Sequence, residues 1–273
     1  MKLTIDCIIR RGYNTMITYI KEFMERYQYP SEAREELLNG YQKLEDSKHF
    51  QAFQQLVTAY EQDTVTDYKE IFQSLRQIAK AEEIHSYTLN LLYLIVISKH
   101  LAMKYQEPNW TKEMFDGAML DLKYKLLECH NLYNVWGNFV IEWDIGFFQL
   151  KLVALGRLQF ELWEFSNEYE KDGNQLHKGD KVINLHIPSS GTLRLSDCEA
   201  SFAMATQFFR SQFANGPIPF VCESWLLYPA NKVILPSDSN IVQFMNLFDI
   251  YEAYDDEKKQ DLWRVYSSAS YAS

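Results

Sequence analysis

The sequence lacks a basic segment. Its 273 residues contain 27 Lys and Arg against 37 Asp and Glu, which gives a formal net charge of -10, and no Lys/Arg-rich run occurs. Proteins that bind nucleic acids carry clustered Lys and Arg side chains that neutralise phosphates. The sequence therefore predicts that nucleic acid is not a partner. Any anionic ligand needs a local site, because the overall field of the protein repels it.

Cysteine is scarce and widely spaced. The four cysteines are Cys7, Cys129, Cys198 and Cys222, and no two of them form a CxxC pair. Common zinc sites and small disulfide frameworks both need closely spaced cysteines. The sequence therefore predicts no metal site, and free, mostly buried thiols of the kind found in a reducing compartment.

Long apolar runs are also missing. The intensely apolar stretch Leu89–Ile97 is far shorter than the roughly 20 residues that span a bilayer. The N-terminal sequence MKLTIDCIIRRGYN has no apolar run long enough for a signal peptide. These features predict a cytoplasmic protein with no membrane partner, in which Leu89–Ile97 is the middle of a buried helix.

The hydrophobic pattern changes character near residue 135. Before this point apolar residues recur at helical spacing, and after it they alternate as in strands. Residues 148–165 alternate on both sides of Gly156, which predicts a hairpin. The sequence therefore predicts an α+β protein, with an all-helical N-terminal domain over residues 1–134. A mixed α/β domain with a central twisted sheet is predicted over residues 135–273.

The second half of the sequence predicts a definite order of elements after the hairpin. A polar loop leads into a strand, and a helix follows whose first turn carries Ser196 and Glu199 at capping-box spacing. A second strand, a short helix and two closing strands complete the order. The predicted bounds are loop 167–180, strand 181–188, helix from residue 196, strand 218–227, helix 239–248, and strands 249–254 and 262–268.

Four segments of this half carry a resemblance to a known family: LGRLQFE, LHIPSSGTL, FVCESWLLYP and SDSNIVQF. They resemble a bacterial family of two-domain proteins with a helical N-acyltransferase N-terminal domain and a GNAT-like C-terminal domain, over nearly the whole chain. The resemblance implies transfer of an acyl group from acetyl-CoA or another acyl-CoA to an amine acceptor, such as a small molecule. Because one fold serves many functions, a degenerate, non-catalytic GNAT fold that binds a ligand or a partner is the alternative.

The resemblance also implies where acyl-CoA lies. In GNAT enzymes it occupies a wedge between two splayed parallel strands, which here correspond to residues 181–188 and 218–227. Backbone N–H groups near Ile187 would polarise the thioester carbonyl. Pro188 cannot donate to a ladder, which favours separation of the strands at that end. The pyrophosphate would lie on the turn before the next helix, formed by Ser189, Ser190, Gly191 and Thr192.

This turn departs from the usual GNAT phosphate turn. It has a single glycine, Gly191, and lacks the usual Arg or Gln that precedes the glycine. The predicted cap by Ser196 and Glu199, together with Asp197, places negative charge where a phosphate would lie. An ordinary strand-to-helix connection is therefore the alternative interpretation of this turn.

Glu223 is the first candidate for the base that removes a proton from the amine. It lies in a predicted strand and shares a face with Val221 and Trp225. Apolar surroundings would make its carboxylate a stronger base. The alternative is a solvent-facing or salt-bridged glutamate. The neighbouring Cys222 has no partner at the sequence level, and we interpret it as a small buried hydrophobe.

Two further candidates lie on predicted strands. Glu161 forms a polar row with Arg157 and Gln159, which either lines a cleft or is the wet face of a half-buried sheet. His186 alternates with Leu185 and Ile187, so its side chain points to the opposite face of the strand. An imidazole can exchange protons near neutral pH. The alternative for His186 is a structural role.

Overall fold

The computed structural model describes residues 15–214 and 216–254. These residues belong to two compact units, and the chain passes from the first to the second between Phe148 and Gln149. The described part of the first unit is helical, and the strands of the described chain all lie in the second. The predicted α+β class, with a helical N-terminal part and a mixed α/β part after it, is confirmed.

The first unit contains seven helices in its described part. Several begin at a side-chain cap: Thr15 Oγ1 accepts a hydrogen bond from Thr18 N–H, and Thr111 Oγ1 accepts one from Met114 N–H. The helices are α1 Met16–Arg26, α2 Ser31–Glu45, α3 Phe50–Glu61, α4 Tyr68–Ala81, α5 Ser86–Lys104, α6 Lys112–Tyr133 and α7 Ile141–Phe148.

Helix α5 is the centre of this unit. Its residues from Thr88 to Ser98 are all buried, so it is apolar on every side and contacts each of the other six helices. One polar bond in its interior joins Tyr19 Oη of α1 to Ser98 Oγ at 2.7 Å. The prediction that Leu89–Ile97 is the middle of a buried helix is confirmed.

The compact helical unit continues past the predicted division at residue 134. Helix α6 ends at Tyr133, and α7 then completes the unit up to Phe148. The loop between them docks on the start of α5, where Asn138 N–H donates to Tyr87 O over 2.8 Å. The division into domains 1–134 and 135–273 stays a prediction.

A buried carboxylate on α7 gives a testable pH dependence. Asp144 is fully buried and accepts a hydrogen bond from the Asn138 amide. Burial raises the pKa of Asp144 well above its usual value, the neighbouring Asp121 raises it further, and Lys125 lowers it in part. A folded-state pKa above the unfolded value of about 3.9 stabilises the fold below about pH 4, and this contribution is lost as the pH rises through the folded-state pKa.

We therefore expect Asp144→Asn to flatten the pH dependence of stability. The amide stays neutral, keeps the shape of the side chain and can still accept the hydrogen bond from Asn138. The free energy of unfolding of the parent should fall more steeply than that of the variant as the pH rises above the unfolded-state pKa of about 3.9, as measured by urea denaturation. Equal slopes for the two proteins would contradict the expectation.

The second unit is built on a four-stranded sheet in the order β1-β2-β5-β6. Strands β1, β2 and β5 pair antiparallel, and β5 pairs with β6 in parallel. A separate two-stranded hairpin, β3-β4, forms around Asp172 and Gly173, both with positive φ. The strands are β1 Leu152–Leu155, β2 Leu158–Glu164, β3 Tyr169–Lys171, β4 Asn174–Leu176, β5 Lys181–His186 and β6 Phe220–Val221.

Helix α8, Leu195–Phe209, packs on one face of this sheet. Its Phe202 contacts Phe160 of β2 and Phe220 of β6 edge to face, with ring centroids 6.1 and 5.0 Å apart. Two short helices follow, α9 Asn231–Ile234 and α10 Asn240–Met245. The predicted hairpin around Gly156, the helix after the turn and the short helix near residue 240 are thus confirmed.

The predictions for residues 167–180 and 249–254 need correction. The predicted polar loop 167–180 contains the β3-β4 hairpin, because Asp172-Gly173 supplies the left-handed turn that a tight hairpin needs. Residues 249–254 form no strand. They instead run alongside the hairpin, where Asp249 accepts a hydrogen bond from Tyr169 over 3.0 Å. The predicted strand 262–268 lies outside the described residues. Across the part of the chain that is described, no helix is both long and apolar enough to cross a membrane.

Candidate functional site

The predicted polar row of β2 lies beside polar residues of β5. In the register of these antiparallel strands Gln159 lies opposite His186, and Glu161 lies opposite Asn184. Residues directly opposite each other point to the same face of a sheet. Glu161 of β2 and the two β5 residues Asn184 and His186 therefore share one face at the end of β5.

Hydrogen bonds join these three side chains. His186 Nε2 lies 2.9 Å from Glu161 Oε1, and Asn184 Nδ2 donates to the same oxygen over 3.2 Å. The side chains of His186 and Glu161 are only 22% and 20% exposed, and Gln159 is 3% exposed. The interpretation of the polar row as a wet face is therefore wrong, and the row is a half-buried polar cluster.

The geometry of the cluster selects a tautomer for the neutral histidine ring. A carboxylate can only accept hydrogen bonds, so the 2.9 Å contact requires a proton on Nε2 of His186. The longer 3.3 Å contact between Nε2 and Asn184 Nδ2 would favour the opposite tautomer, but that tautomer would place a lone pair against the carboxylate. The neutral ring then carries its lone pair on Nδ1, which is the atom able to accept a proton.

An open strand edge begins beside this cluster. Strands β5 and β6 are parallel neighbours only where Ile183 and Asn184 pair with β6, which ends at Val221. Ile183 N–H donates to Pro219 O over 2.9 Å, and because N–H directions alternate along a strand, Ile187 N–H points to the same side. No residue of β6 lies opposite Ile187, so the ladder between the two strands ends before Pro188. The expected splay of the two strands stays a prediction.

The turn after this edge is exposed and is not closed by the predicted capping box. Helix α8 begins at Leu195, with Arg194 as its N-cap and no side-chain cap. Ser196 therefore lies inside the helix, where its helical backbone prevents it from acting as the N-cap. The capping box of Ser196 and Glu199 is wrong. Asp197 remains in the first turn, 3.7 Å from the Arg194 side chain, which partly balances its charge.

The turn itself holds the residues predicted to bind the cofactor. Ser189, Ser190, Gly191 and Thr192 are all exposed, and Gly191 has a φ of +106°, a conformation that favours glycine. Their role in binding a cofactor stays a prediction. The structure adds that the turn follows directly on the open edge at Ile187.

Glu223 does not occupy the position that the sequence predicts. Strand β6 ends at Val221, because Ser224 Oγ accepts a hydrogen bond from Leu226 N–H and starts a short 3₁₀ turn. Glu223 is exposed, and its carboxylate accepts a hydrogen bond from the Tyr254 hydroxyl. The expected mid-strand position among apolar side chains is wrong. The role of Glu223 as base stays a prediction, but the apolar mid-strand surroundings that supported it are not found.

The cysteines of the described chain are poor nucleophiles. Burial raises the pKa of the Cys222 thiol to about 12, with Glu223 adding to the shift, and burial raises the pKa of Cys129 to about 12. Burial also raises the pKa of Cys198. A protonated thiol attacks carbonyls weakly. Among the described residues, no group of three or more His, Cys, Asp or Glu side chains could hold a metal ion.

Sequence reasoning missed the contacts of Arg157 and Asn184. Arg157 reaches the carbonyls of the turn 31 to 35 residues away in the sequence, and Asn184 meets Glu161 across two strands. The only signal in the sequence was the alternation that puts Arg157 in the polar row. Partners at such separations depend on strand register, which a hydrophobic pattern alone does not give.

Two models of known protein domains match the chain. The sequence model of the N-acyltransferase N-terminal domain matches residues 18–150, and that of the GNAT-like C-terminal domain matches residues 152–273. No curated protein sequence matches the chain significantly.

Solved structures of an acyltransferase have a similar fold. One, in complex with decanoyl-CoA and teicoplanin, has a TM-score of 0.62 at 16% identity, over 90% of this chain and 75% of that one. Another, in complex with decanoyl-CoA, has a TM-score of 0.59 at 18% identity, over 96% and 86%. Identities this low show likeness of fold. With both domain models matched in order along the chain, the protein belongs to the family of N-acyltransferases that join a helical N-terminal domain to a GNAT-like C-terminal domain.

Proposed function

We propose that this protein transfers the acyl group of an acyl-CoA to an amine. The observation that carries the proposal is the 2.9 Å contact between Glu161 and His186, at the end of β5 and beyond the last residue that pairs with β6. In this contact the carboxylate of Glu161 orients the imidazole of His186. The next residue, Ile187, has no residue of β6 opposite it. Family membership and the acyl-CoA complexes of similar structures support the same reaction.

His186 is the general base of the proposed reaction. Its Nδ1 accepts a proton from the amine, directly or through a water, as the amine nitrogen attacks the thioester carbonyl carbon. Glu161 holds the ring in the required tautomer and stabilises the charged ring that forms. The carbon–sulfur bond then breaks, and the CoA thiolate leaves and takes up a proton.

The open edge of β5 supplies the remaining groups. The Ile187 N–H would donate to the thioester oxygen as negative charge develops there. The CoA pyrophosphate would lie on the turn of Ser189, Ser190, Gly191 and Thr192, which follows the edge directly. Glu223 is exposed and hydrogen-bonded to Tyr254, so it is the weaker candidate for the base.

The acyl group of the proposed substrate is longer than acetyl. Similar structures are acyltransferases in complex with decanoyl-CoA and, for a variant, octanoyl-CoA. Acetyl-CoA is therefore the less favoured member of the predicted cofactor class. The proposed acceptor is an amine of unassigned structure in the cytoplasm. The net charge of -10 argues against a nucleic acid as the acceptor.

Binding of acyl-CoA is the first expected result. Decanoyl-CoA should raise the melting temperature of the protein, since a ligand at 100 times its Kd stabilises the folded state by about 2.7 kcal/mol. Acetyl-CoA should give a smaller shift at the same concentration. Free decanoate, which lacks the CoA portion, is the matched control for non-specific binding of the acyl chain. No shift with decanoyl-CoA at millimolar concentration would contradict the proposal.

Transfer is tested separately from binding. Release of the CoA thiol should depend on an added amine, and mass spectrometry should find the corresponding amide. Binding of decanoyl-CoA without transfer to any of a broad panel of amines would instead favour the non-catalytic alternative.

A further inference from the structure

The side chain of Arg157 holds the turn between β5 and α8 from one side. Its guanidinium donates three hydrogen bonds to backbone carbonyls: Nη1 to Pro188 O at 3.0 Å, Nη2 to Gly191 O at 2.7 Å and Nε to Thr192 O at 3.1 Å. Three charge-assisted bonds to one short turn fix its backbone much more firmly than neutral contacts would. The turn is therefore ordered by a residue that lies outside it.

These bonds also set the direction of the N–H groups in the turn. The C=O and N–H of a trans peptide point in opposite directions, and the described chain has no cis peptide. Since the carbonyls of Gly191 and Thr192 face Arg157, the N–H groups of Thr192 and Leu193 point away from it. None of the hydrogen bonds of the described residues uses these two N–H groups. The N–H groups of Thr192 and Leu193 therefore lie on the side of the turn opposite Arg157.

A hydrogen bond to α8 also fixes the backbone of Arg157. Its N–H donates to Ser201 Oγ over 2.8 Å, and the same hydroxyl donates to Asp197 O over 2.8 Å. The preceding Gly156 has a φ of +69°, and a Cβ there would lie 2.6 Å from Met204 Cε. The tip of the β1-β2 hairpin therefore packs closely on the first turns of α8. This packing holds the backbone of Arg157 in place while its side chain extends to the turn of residues 188–192.

We propose that Arg157 is a positioning residue for the diphosphate of CoA. Its guanidinium faces the carbonyl side of the turn and orients the Thr192 and Leu193 N–H groups toward the ligand, so it acts through the backbone. This inference rests on the proposed acyl-CoA substrate. It also accounts for the departure of the turn from the usual pattern, because the arginine that is missing from the turn is supplied by the β1-β2 hairpin.

Lysine cannot replace arginine in this role. The planar guanidinium offers five N–H donors in a fixed fork and here spans carbonyls of three different residues, whereas a lysine ammonium is a single point of charge. Arg157→Lys should therefore keep the charge and lose part of the order of the turn. Arg157→Met should lose both.

The test compares two ligands that differ only at the diphosphate end. Octanoyl-CoA and octanoyl-pantetheine carry the same thioester, but the second lacks the diphosphate and the nucleotide. Isothermal titration of the full chain should give a Kd for octanoyl-CoA that is at least about tenfold higher in Arg157→Met, and a smaller increase in Arg157→Lys. The Kd for octanoyl-pantetheine should stay within about twofold of the parent value in both variants.

Arg210→Met is the matched control. Arg210 lies at the other end of α8 and also donates to a backbone carbonyl, that of Gly216, over 2.9 Å. Its removal changes the net charge equally and should leave both Kd values unchanged.

The outcomes separate the two proposals. If the parent does not bind octanoyl-CoA, the proposed function fails. If the parent binds it and Arg157→Met binds it equally well, or loses both ligands in equal measure, the positioning role of Arg157 is overturned. Should Arg157→Met fail to fold, Arg157→Lys decides, and an unchanged Kd for octanoyl-CoA in that variant overturns the inference.

Discussion

His186→Gln is expected to lower kcat by about 10²- to 10⁴-fold, the usual effect of losing a general base. The glutamine amide can still donate to Glu161 but carries no basic nitrogen, so the polar cluster stays filled while proton transfer from the amine is lost. The Kd for acyl-CoA should hardly change, because His186 acts on the acceptor. The measurement is the rate of CoA thiol release with a saturating amine, together with titration of decanoyl-CoA.

The chain offers a closely matched control. His177 also pairs with a glutamate, since its Nδ1 lies 2.7 Å from Glu168 Oε2, but both side chains are about two-thirds exposed on the β3-β4 hairpin. His177→Gln removes the same chemical pair away from the open strand edge and should leave kcat unchanged. A similar loss in both variants would mean that the effect of His186→Gln is not specific to the site.

The variant Glu223→Gln tests the other candidate base in the same experiment. If Glu223 were the base, this variant would lose kcat and His186→Gln would keep it. The exposure of Glu223 and its hydrogen bond to Tyr254 predict the reverse. Near-parental turnover in His186→Gln would move the role of base to Glu223 or Glu161.

The helical half of the fold and the order of elements after it could be predicted from the sequence. Both follow from periodicity, which is a local property. Helix α5 is apolar on every side over Leu89–Ile97, and a helix of this kind has to be central. The alternation around Gly156 likewise gives the hairpin, because the positive φ at this position needs a glycine.

The length of β6 and the start of α8 could not be predicted, because each depends on a competition between local alternatives. The stretch from Phe220 to Leu227 looks like one strand, but Ser224 binds its own downstream backbone and ends the strand early. Ser196 and Glu199 have capping-box spacing, but the helix begins at Leu195, one residue before the predicted cap.

The site was only partly predictable for a different reason. Glu161 and His186 were each identifiable as polar residues on strands, but their contact depends on the register of β2 against β5. A shift of one residue would point one of the two side chains to the other face of the sheet. The sequence therefore ranked Glu223 above a pair that becomes visible only once the strands are placed side by side.

Gly137→Ala is expected to destabilise the helical unit strongly, although it adds only one methyl group. A Cβ at Gly137 would lie 2.3 Å from the carbonyl carbon of Tyr87 and 2.6 Å from the N–H nitrogen of Thr88. Both are backbone atoms in the first turn of the central helix α5, so neither can rotate away as a side chain would. The loop that carries Gly137 would have to move instead.

Movement of this loop breaks a set of buried bonds at once. Thr88 Oγ1 donates to Trp136 O over 3.0 Å, Asn90 Nδ2 donates to Asn138 O over 3.2 Å, and Asn138 also donates to the buried carboxylate of Asp144. Each lost bond costs about 1 kcal/mol, and a buried polar group left without a partner costs about 1–3 kcal/mol. We therefore expect a loss of about 3 kcal/mol or more in the free energy of unfolding.

Gly40→Ala is the matched control for this change, and urea denaturation followed by circular dichroism is the measurement. Gly40 lies within α2, and a Cβ there would meet its nearest neighbour, Leu92 Cδ1, at an ordinary contact distance of 3.5 Å. Alanine in a helix interior is about 0.5–1 kcal/mol more favourable than glycine, so this variant should be as stable as the parent or more stable. A Gly137→Ala protein with the parental urea midpoint and slope would show that the loop does not pack against α5 in this way. The arrangement of Asn138 and Asp144 derived from that packing would then be wrong as well.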